Sequence, residues 1–498
     1  MATHEYFCDL AAAYSNNTGD QDGDGTGNIY EGPGGLLAAI CGYGAATKLA
    51  PGDTLWCKGT GNMHRLVWLG VLGKDVAAAG WCVGNAVQDN NGGAEWTGEI
   101  IHVVTTSCVV ELALAYDLSD VTPASGVNNT SQVDTTTTTG VSQYPIYVDI
   151  ASALDGDTTD GHIKIIGVND SWVNDGTQAV LDGNGDAVDC LVVSDVDRWW
   201  WENFTFQNAT SHNVARAAGN NLYWVFKNCK STGAGGNGFY NYFFNSLFDN
   251  CVISLNTGNG FEYTVTTTFR NCNISGNGGW GYNTVAGGLH INCVFSDNDL
   301  GHINNASSAL LVTGCVLDGS SAGDAINIST NDAEVRIWGN RITNNVGFGI
   351  DQGTANDQSV IEDWNVIFNN TAGARDDVAV GPNSDDAPAD DGYVKRTILI
   401  TYDGGTTMNA FSPGDTITKT GGGWTGKVRT VPTGAASGTF EADTLSGGNP
   451  VNDHAFTGTA GNAVVNGAPS VVTTGDNATD YNIKTGAEIR STALVLNW

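Results

Sequence analysis

The chain has 498 residues, enough for two or three domains or one long solenoid with additions. It carries 53 acidic against 20 basic residues, a net charge of −33, which argues against a nucleic-acid binder and against docking on an anionic membrane surface. Gly is abundant (67 residues) and Pro scarce (10), with 41% hydrophobic residues and no G-X-Y period, so collagen and simple disorder are excluded and many short strands joined by tight turns are expected.

The opening MATHEYFCDLAAAY lacks a basic segment followed by an apolar run, so no secretory signal is expected, and no 18-residue apolar stretch suggests a membrane span. Residues 20–31 match the D-x-D-x-D-G-x5-E calcium-loop pattern. Asp20, Asp22, Asp24, Thr26, Asn28 and Glu31 would supply the oxygens and Gly25 the sharp turn. The following GPGG breaks the outgoing helix of an EF-hand, so the segment reads either as a Ca²⁺ loop or as a plain acidic turn. No cofactor is required by anything in the sequence. Within residues 32–50, Leu36, Leu37, Ile40 and Cys41 share one helical face, which predicts a short amphipathic helix capping the open end of a solenoid. Residues 1–50 are therefore read as an N-terminal cap.

Irregular coils and loop excursions are expected from 51 to about 180. EIIHVVTTSCVVELALAY (99–116) reads as β-rich, VDTTTTTGVSQY (133–144) as a polar loop, and IYVDI (146–150) and HIKIIGV (162–168) as strands. Acidic residues then gather at Asp186, Asp189, Asp195 and Asp197. Asp195 and Asp197, two apart, could share a strand face near His212, and Asp297, Asp299 and His302 form a second small cluster. These are the candidates for general acid–base work. The competing reading is turn carboxylates facing water, which would leave the chain with no catalytic residues at all. In Trp199-Trp200-Trp201 alternation turns 199 and 201 one way and 200 the other. An outward ring could stack on a sugar, pack under a loop, or meet another subunit.

From 203 to 370 the chain repeats openly. Cys229, Cys251, Cys272, Cys293 and Cys315 are spaced 22, 21, 21 and 22 residues apart, in KNCKS, DNCVI, RNCNI, INCVF and TGCVL. Each is followed by an apolar alternation, a Gly/Asn turn and a second apolar strand carrying Phe239, Phe261, Tyr282, Ile326 or Ile350. One turn cannot bury its own inner face. Stacking turns about 4.8 Å apart pairs every strand with its copy and predicts an interior file of reduced thiols, with corner asparagines forming amide ladders. The absence of L-x-x-L-x-L rejects a leucine-rich repeat.

The PGDTLWCKG entry (51–59), the LDGNG turn (181–185) and the N-C-x-I ladder resemble the right-handed parallel β-helix, the pectate-lyase-like superfamily. The resemblance implies an all-β solenoid over 51–380. Residues 381–393 read as an acidic linker and 394–498 as a small C-terminal β-barrel or sandwich, which could be inserted before a closing strand at 480–498. The string 411–448 is similar to small β modules in tailed-phage virion proteins. That likeness implies a structural virion protein made in the host cytoplasm. It would be a tailspike, fibre or capsid decoration forming a homotrimer, with other virion proteins and a host-surface glycan as partners. A polysaccharide hydrolase or lyase and a non-catalytic glycan adhesin are the alternatives.

Overall fold

The structure, a computed structural model, describes residues 4–14, 29–42, 48–71, 76–89, 96–104, 107–116, 121, 126–129, 134–143, 146–149, 155–185, 187–194, 196–218, 221–241, 243–284, 286–306, 309–329, 335–353, 360–378, 384, 396–412, 415–428, 430–447, 454–458, 461–467 and 470–474. The repeat resolves into a parallel β-helix with three faces. The first sheet runs from Tyr30–Glu31 and Glu5–Asp9 through Thr54–Lys58, Ile163–Gly167 and Trp199–Glu202 to Val360–Asp363. The second has ten strands, from Thr60–Asn62 to Val366–Phe368, and the third has ten, from Ile146–Asp149 to Gly373–Asp376.

Parallel register places like residues on like. Trp201, Phe226, Phe248, Phe269 and His290 form one inward column of the first sheet, continued by Val312 and Ile337. Phe239, Phe261, Tyr282, Ile303, Ile326 and Ile350 form the corresponding column of the third. Ring planes follow the coil spacing: Phe226–Phe248 and Phe248–Phe269 stack at 4.8 and 5.1 Å with interplanar angles of 10° and 13°. Offset stacking of this kind adds about 0.5–1.5 kcal/mol per pair beyond the area buried.

The five predicted cysteines line one buried file at the corner between the first and second sheets. The Cys251, Cys272 and Cys315 thiols point at the carbonyls of Phe226, Phe248 and His290, at 3.3, 3.4 and 3.6 Å. Burial raises Cys251, Cys272 and Cys293 well above the ordinary thiol range, which keeps them protonated and inert. Asn340 and Asn365 then take over the file, joined amide to amide at 2.9 Å.

Each corner just before this file is left-handed. Asn203, Asn228, Asn250, Asn271 and Asn292 all have φ between 53° and 55°, and Gly314 and Gly339 succeed them at 64° and 66°. Asn and Gly recur there because other residues resist that conformation. A second amide ladder is buried at the next corner: the Asn256 Nδ2 donates to Asn277 Oδ1 (2.9 Å), and the Asn277 Nδ2 to Asn298 Oδ1 (2.8 Å). Asn277→Ala should therefore lower stability by about 2–4 kcal/mol, because it strips partners from two neighbouring coils at once. Thermal melting against the exposed strand control Asn273→Ala, expected to cost under half as much, checks this.

Two additions interrupt or follow the coils. Between Leu66 and Gln143 a closed six-stranded antiparallel barrel is inserted, its own core built on Val67, Leu69, Trp96, Ile100 and Val110. Its strand Asp134–Gln143 corrects the reading of 133–144 as a loop: β-branched threonines suit a strand, and here they pair with Leu66–Val71 and Gly126–Asn129. Seven further antiparallel strands between Arg396 and Thr474 enclose a separate core of Ile398, Ile400, Tyr402, Trp424, Phe440 and Phe456. Helix α1 (Gly32–Cys41) has Pro33 in its first turn and ends on Gly42 in the left-handed conformation. It is buried on every side rather than amphipathic, sharing a core with coil residues Leu55 and Leu181 and barrel residues Ile101 and Val109.

Candidate functional site

The polar residues of interest gather on the third sheet. At its leading edge five coils present a side chain that accepts the N–H of the next coil. Asp189 Oδ1 accepts from His212 (2.9 Å), His212 Nδ1 from Asn237 (3.0 Å), Asn237 Oδ1 from Asn259 (2.7 Å), and Asn259 Oδ1 from Trp280 (2.6 Å). Further along, Asp324 Oδ1 accepts from Phe348 (2.6 Å). Where Asp, Asn or His occupies this position it ties one coil to the next; Trp280, Gly301 and Phe348 occupy it on other coils.

His212 is thereby committed. Its Nδ1 accepts a hydrogen bond, its ring stacks on Tyr240 at 4.1 Å and 8°, and burial pushes it down to about 4. It is neutral at pH 7, with its proton on Nε2. Burial pushes Asp189 up to about 6 against the pull of the His212 N–H.

The outward column of this sheet reads Tyr240, Glu262, Asn283, Asn304, Asn327, Asp351 and Asp376, one residue per coil. Glu262 Oε2 accepts from the amides of Asn237 and Asn259, and the Asn304 amide donates to Asn283 at 2.8 Å. Asp324 is raised, first by burial and then by the neighbouring Asp351 carboxylate on the next coil. Two neighbouring carboxyls, one of them raised, are a recognised acid–base arrangement. Glu262, Asp324 and Asp351 escape a motif search because they lie on separate coils. The signal is their register position, at the leading edge of a third-sheet strand for Asp324 and three residues after it for Glu262 and Asp351.

The other candidates are dispersed. Asp197 holds the corner into the first sheet, its Oδ1 accepting from the Leu222 N–H at 2.8 Å. Asp186 and Asp195 lie outside the described residues. The Asp297–Asp299–His302 cluster does not form. Asp297 is a left-handed corner (φ 53°) and is exposed, Asp299 is exposed and bonded to Ser321 Oγ at 2.7 Å, and His302 is fully buried beside Asn298. Trp199 and Trp201 are wholly buried core residues, so no sugar can reach them. Trp200 alone faces outward, half-buried, its indole N–H donating to Glu202 at 3.0 Å. Of the acidic loop, Asp20, Asp22, Asp24, Thr26 and Asn28 lie outside the described residues, and Glu31 is half-buried at the start of α1. No group of three or more His, Cys, Asp or Glu side chains among the described residues is arranged to hold a metal. A shallow uncharged groove of about 390 Å³ runs along the corner asparagines Asn203, Asn228 and Asn250, walled by Gly176, Gln178 and Val252.

No protein-family model and no curated protein matches the chain. Among solved structures, pectate lyase Pel9A is 12% identical over 78% of this chain and 74% of its own, with a TM-score of 0.39. The tailspike gp49 of Acinetobacter baumannii bacteriophage Fri1, a capsular polysaccharide depolymerase, is 14% identical over 64% of this chain and 66% of its own (TM-score 0.26). The tailspike gp49 of Pseudomonas phage LKA1 is 14% identical over 85% and 84% (TM-score 0.23). At such identities and scores the β-helix assignment rests on the strand register itself.

Proposed function

We propose that the chain is a structural protein of a virus particle, a surface spike, fibre or capsid decoration of a tailed phage that contacts the host surface or stabilises the particle as a homotrimer. The supporting observation is where the polar side chains go. Asp189, His212, Asn237, Asn259 and Asp324 each hold the backbone of the next coil, and the Asn256–Asn277–Asn298 amides do the same from inside. Groups that could otherwise serve chemistry tie coil to coil, as a stiff rod under mechanical load requires. The similarity of 411–448 to virion β modules points the same way. Mass spectrometry of purified particles should find the chain, and sedimentation should give a stable trimer. A monomer that never appears in particles would overturn the proposal.

The Asp324–Asp351 pair favours a second reading, a glycan-cleaving enzyme acting from the third sheet. On that reading Asp324→Asn and Asp351→Asn each lower the release of reducing ends or unsaturated products by about 100-fold or more. Asn keeps the acceptor for the Phe348 N–H, so melting should be little changed. Because Asp324 is held above the usual carboxylate range, its protonated form persists to higher pH, and activity needing that acid falls as pH rises through its shifted value. Wild-type protein that leaves a panel of surface polysaccharides intact would end this reading.

A further inference from the structure

Four bulky aromatic residues have a left-handed backbone: Trp172 (φ 61°), Tyr223 (φ 60°), Tyr263 (φ 59°) and Trp364 (φ 58°). Such residues resist this conformation, so something else must hold them there. For three of them the structure supplies it. Trp172 meets Phe7 edge-on at 5.0 Å and carries Lys58 over its ring at 4.4 Å, Tyr223 carries the Arg198 guanidinium at 4.8 Å, and Tyr263 meets Tyr240 edge-on at 6.2 Å. Trp364 has no ring or cation partner among the described residues, and it is 48% exposed.

Its position sharpens the contrast. The equivalent corners of the two preceding coils are Gly314 and Gly339, which accept this backbone without strain. Beside Trp364 stand two more exposed apolar side chains. Trp338 is on the adjacent strand, in register with Asp363, and is 39% exposed; Ile361, in register with Arg336, is 44% exposed. Leu255 offers a comparison: it too is left-handed and exposed, but its Cδ2 lies against the neighbouring corner Gly276, and a lone branched chain presents no flat face.

We propose that Trp364 and Trp338, flanked by Ile361, form a stacking platform for a neutral sugar. Adjacent coils lie about 4.8 Å apart, so two exposed indoles offer apolar ring surface to a short glycan, and the exposed Arg336 brings a polar group beside it. The area decides against a second copy of the chain. The three exposed side chains present together about 300 Å², well below the about 800 Å² per partner of a stable interface, yet enough for one or two pyranose rings. The charge of −33 decides against an acidic sugar. The inference rests on the host-contact reading above for its biological ligand, but not for its test.

The full chain and its Trp364→Gly and Trp338→Ala variants are applied to immobilised neutral gluco-, galacto- and manno-oligosaccharides, with sialylated and uronate glycans alongside, and each variant is melted. Wild-type protein should retain at least one neutral glycan, and each variant should bind it about tenfold more weakly or worse. Trp364→Gly should melt no lower than wild type, because it restores the residue found at 314 and 339. Should that variant fail to fold, Trp338→Ala decides alone. Retention of no neutral glycan, or undiminished binding by both variants, overturns the proposal. So does loss of an oligomer in sedimentation with glycan binding intact, which would assign the face to a second copy. Presence or absence of the chain in particles is measured separately, so the two readings can fail independently.

Discussion

Replacing His290 by Phe should raise the melting temperature, and the gain should widen as the solution is acidified. His290 continues a column of aromatic rings, stacked on Phe269 at 4.9 Å and 9° and edge-on to Tyr282 at 4.5 Å. It is fully buried, and neither ring nitrogen has a hydrogen-bond partner among the described residues. Phe matches its shape without the polar atoms, so the exchange should stabilise by about 1–3 kcal/mol at neutral pH. Burial pushes His290 down to about 3, from an ordinary value near 6.5. Its folded value lies below its unfolded one, so the unfolded chain binds the extra proton. Stability from this group is intact above about pH 6.5 and is lost progressively as pH falls toward 3. At pH 4 that loss is about 3 kcal/mol, and His290→Phe should recover it. Melting curves of both proteins between pH 4 and pH 8 check this. Parallel pH profiles, or a variant that melts lower at pH 7, would show that the ring has a partner after all.

The parts of the fold readable in the sequence were those that the solenoid writes many times. The thiol file at Cys229–Cys315 and the column Phe239, Phe261, Tyr282, Ile326 and Ile350 stand in register as their spacing predicts, because parallel pairing forces equivalent residues onto one face. The corner asparagines were legible for the same reason, and their left-handed backbone explains why Gly314 and Gly339 substitute for them.

Features that occur once left no such trace. The threonine run at 134–143 looks like a polar loop until the barrel supplies partners on both edges. Trp199 and Trp201 look like sugar platforms, yet alternation alone does not say which face of a strand is interior, and it is theirs. The Asp324–Asp351 pair joins two coils, so no local motif contains it. The repeat spacing already puts Trp364 in the Asn/Gly column, whose pattern it breaks; its left-handed backbone and its exposure are what the structure adds.

The contact between α1 and the inserted barrel is another single occurrence, and it gives the largest expected loss. Glu111, on a barrel strand, is fully buried against the first turn of α1. Its carboxylate accepts the Gly34 N–H at 2.7 Å and pairs with Arg65, itself 3% exposed, whose Nε donates to the Leu112 carbonyl at 3.1 Å. A Cβ on Gly32 or Gly34 would collide with the Glu111 carboxylate, so the GPGG run is what lets this acid approach. Glu111→Ala should cost about 3–5 kcal/mol, because it leaves Arg65 buried without its counter-charge, and Arg65→Met should cost a similar amount. The double variant Glu111→Leu/Arg65→Met should be less damaging than either single one, because it removes both charges from the interior together. A pH signature separates this from simple loss of packing. Burial pushes Glu111 up to about 7 in spite of Arg65 and the Gly34 N–H. The folded chain therefore holds a proton there that the unfolded chain releases near the ordinary 4.5. This contribution favours folding below about pH 4.5 and fades as pH rises toward 7, the opposite slope to His290. Wild-type stability measured against the double variant should decline between pH 5 and pH 8. A flat difference, or single losses that simply add, would mean that the carboxylate and guanidinium are not energetically coupled and that shape alone seats the helix on the barrel.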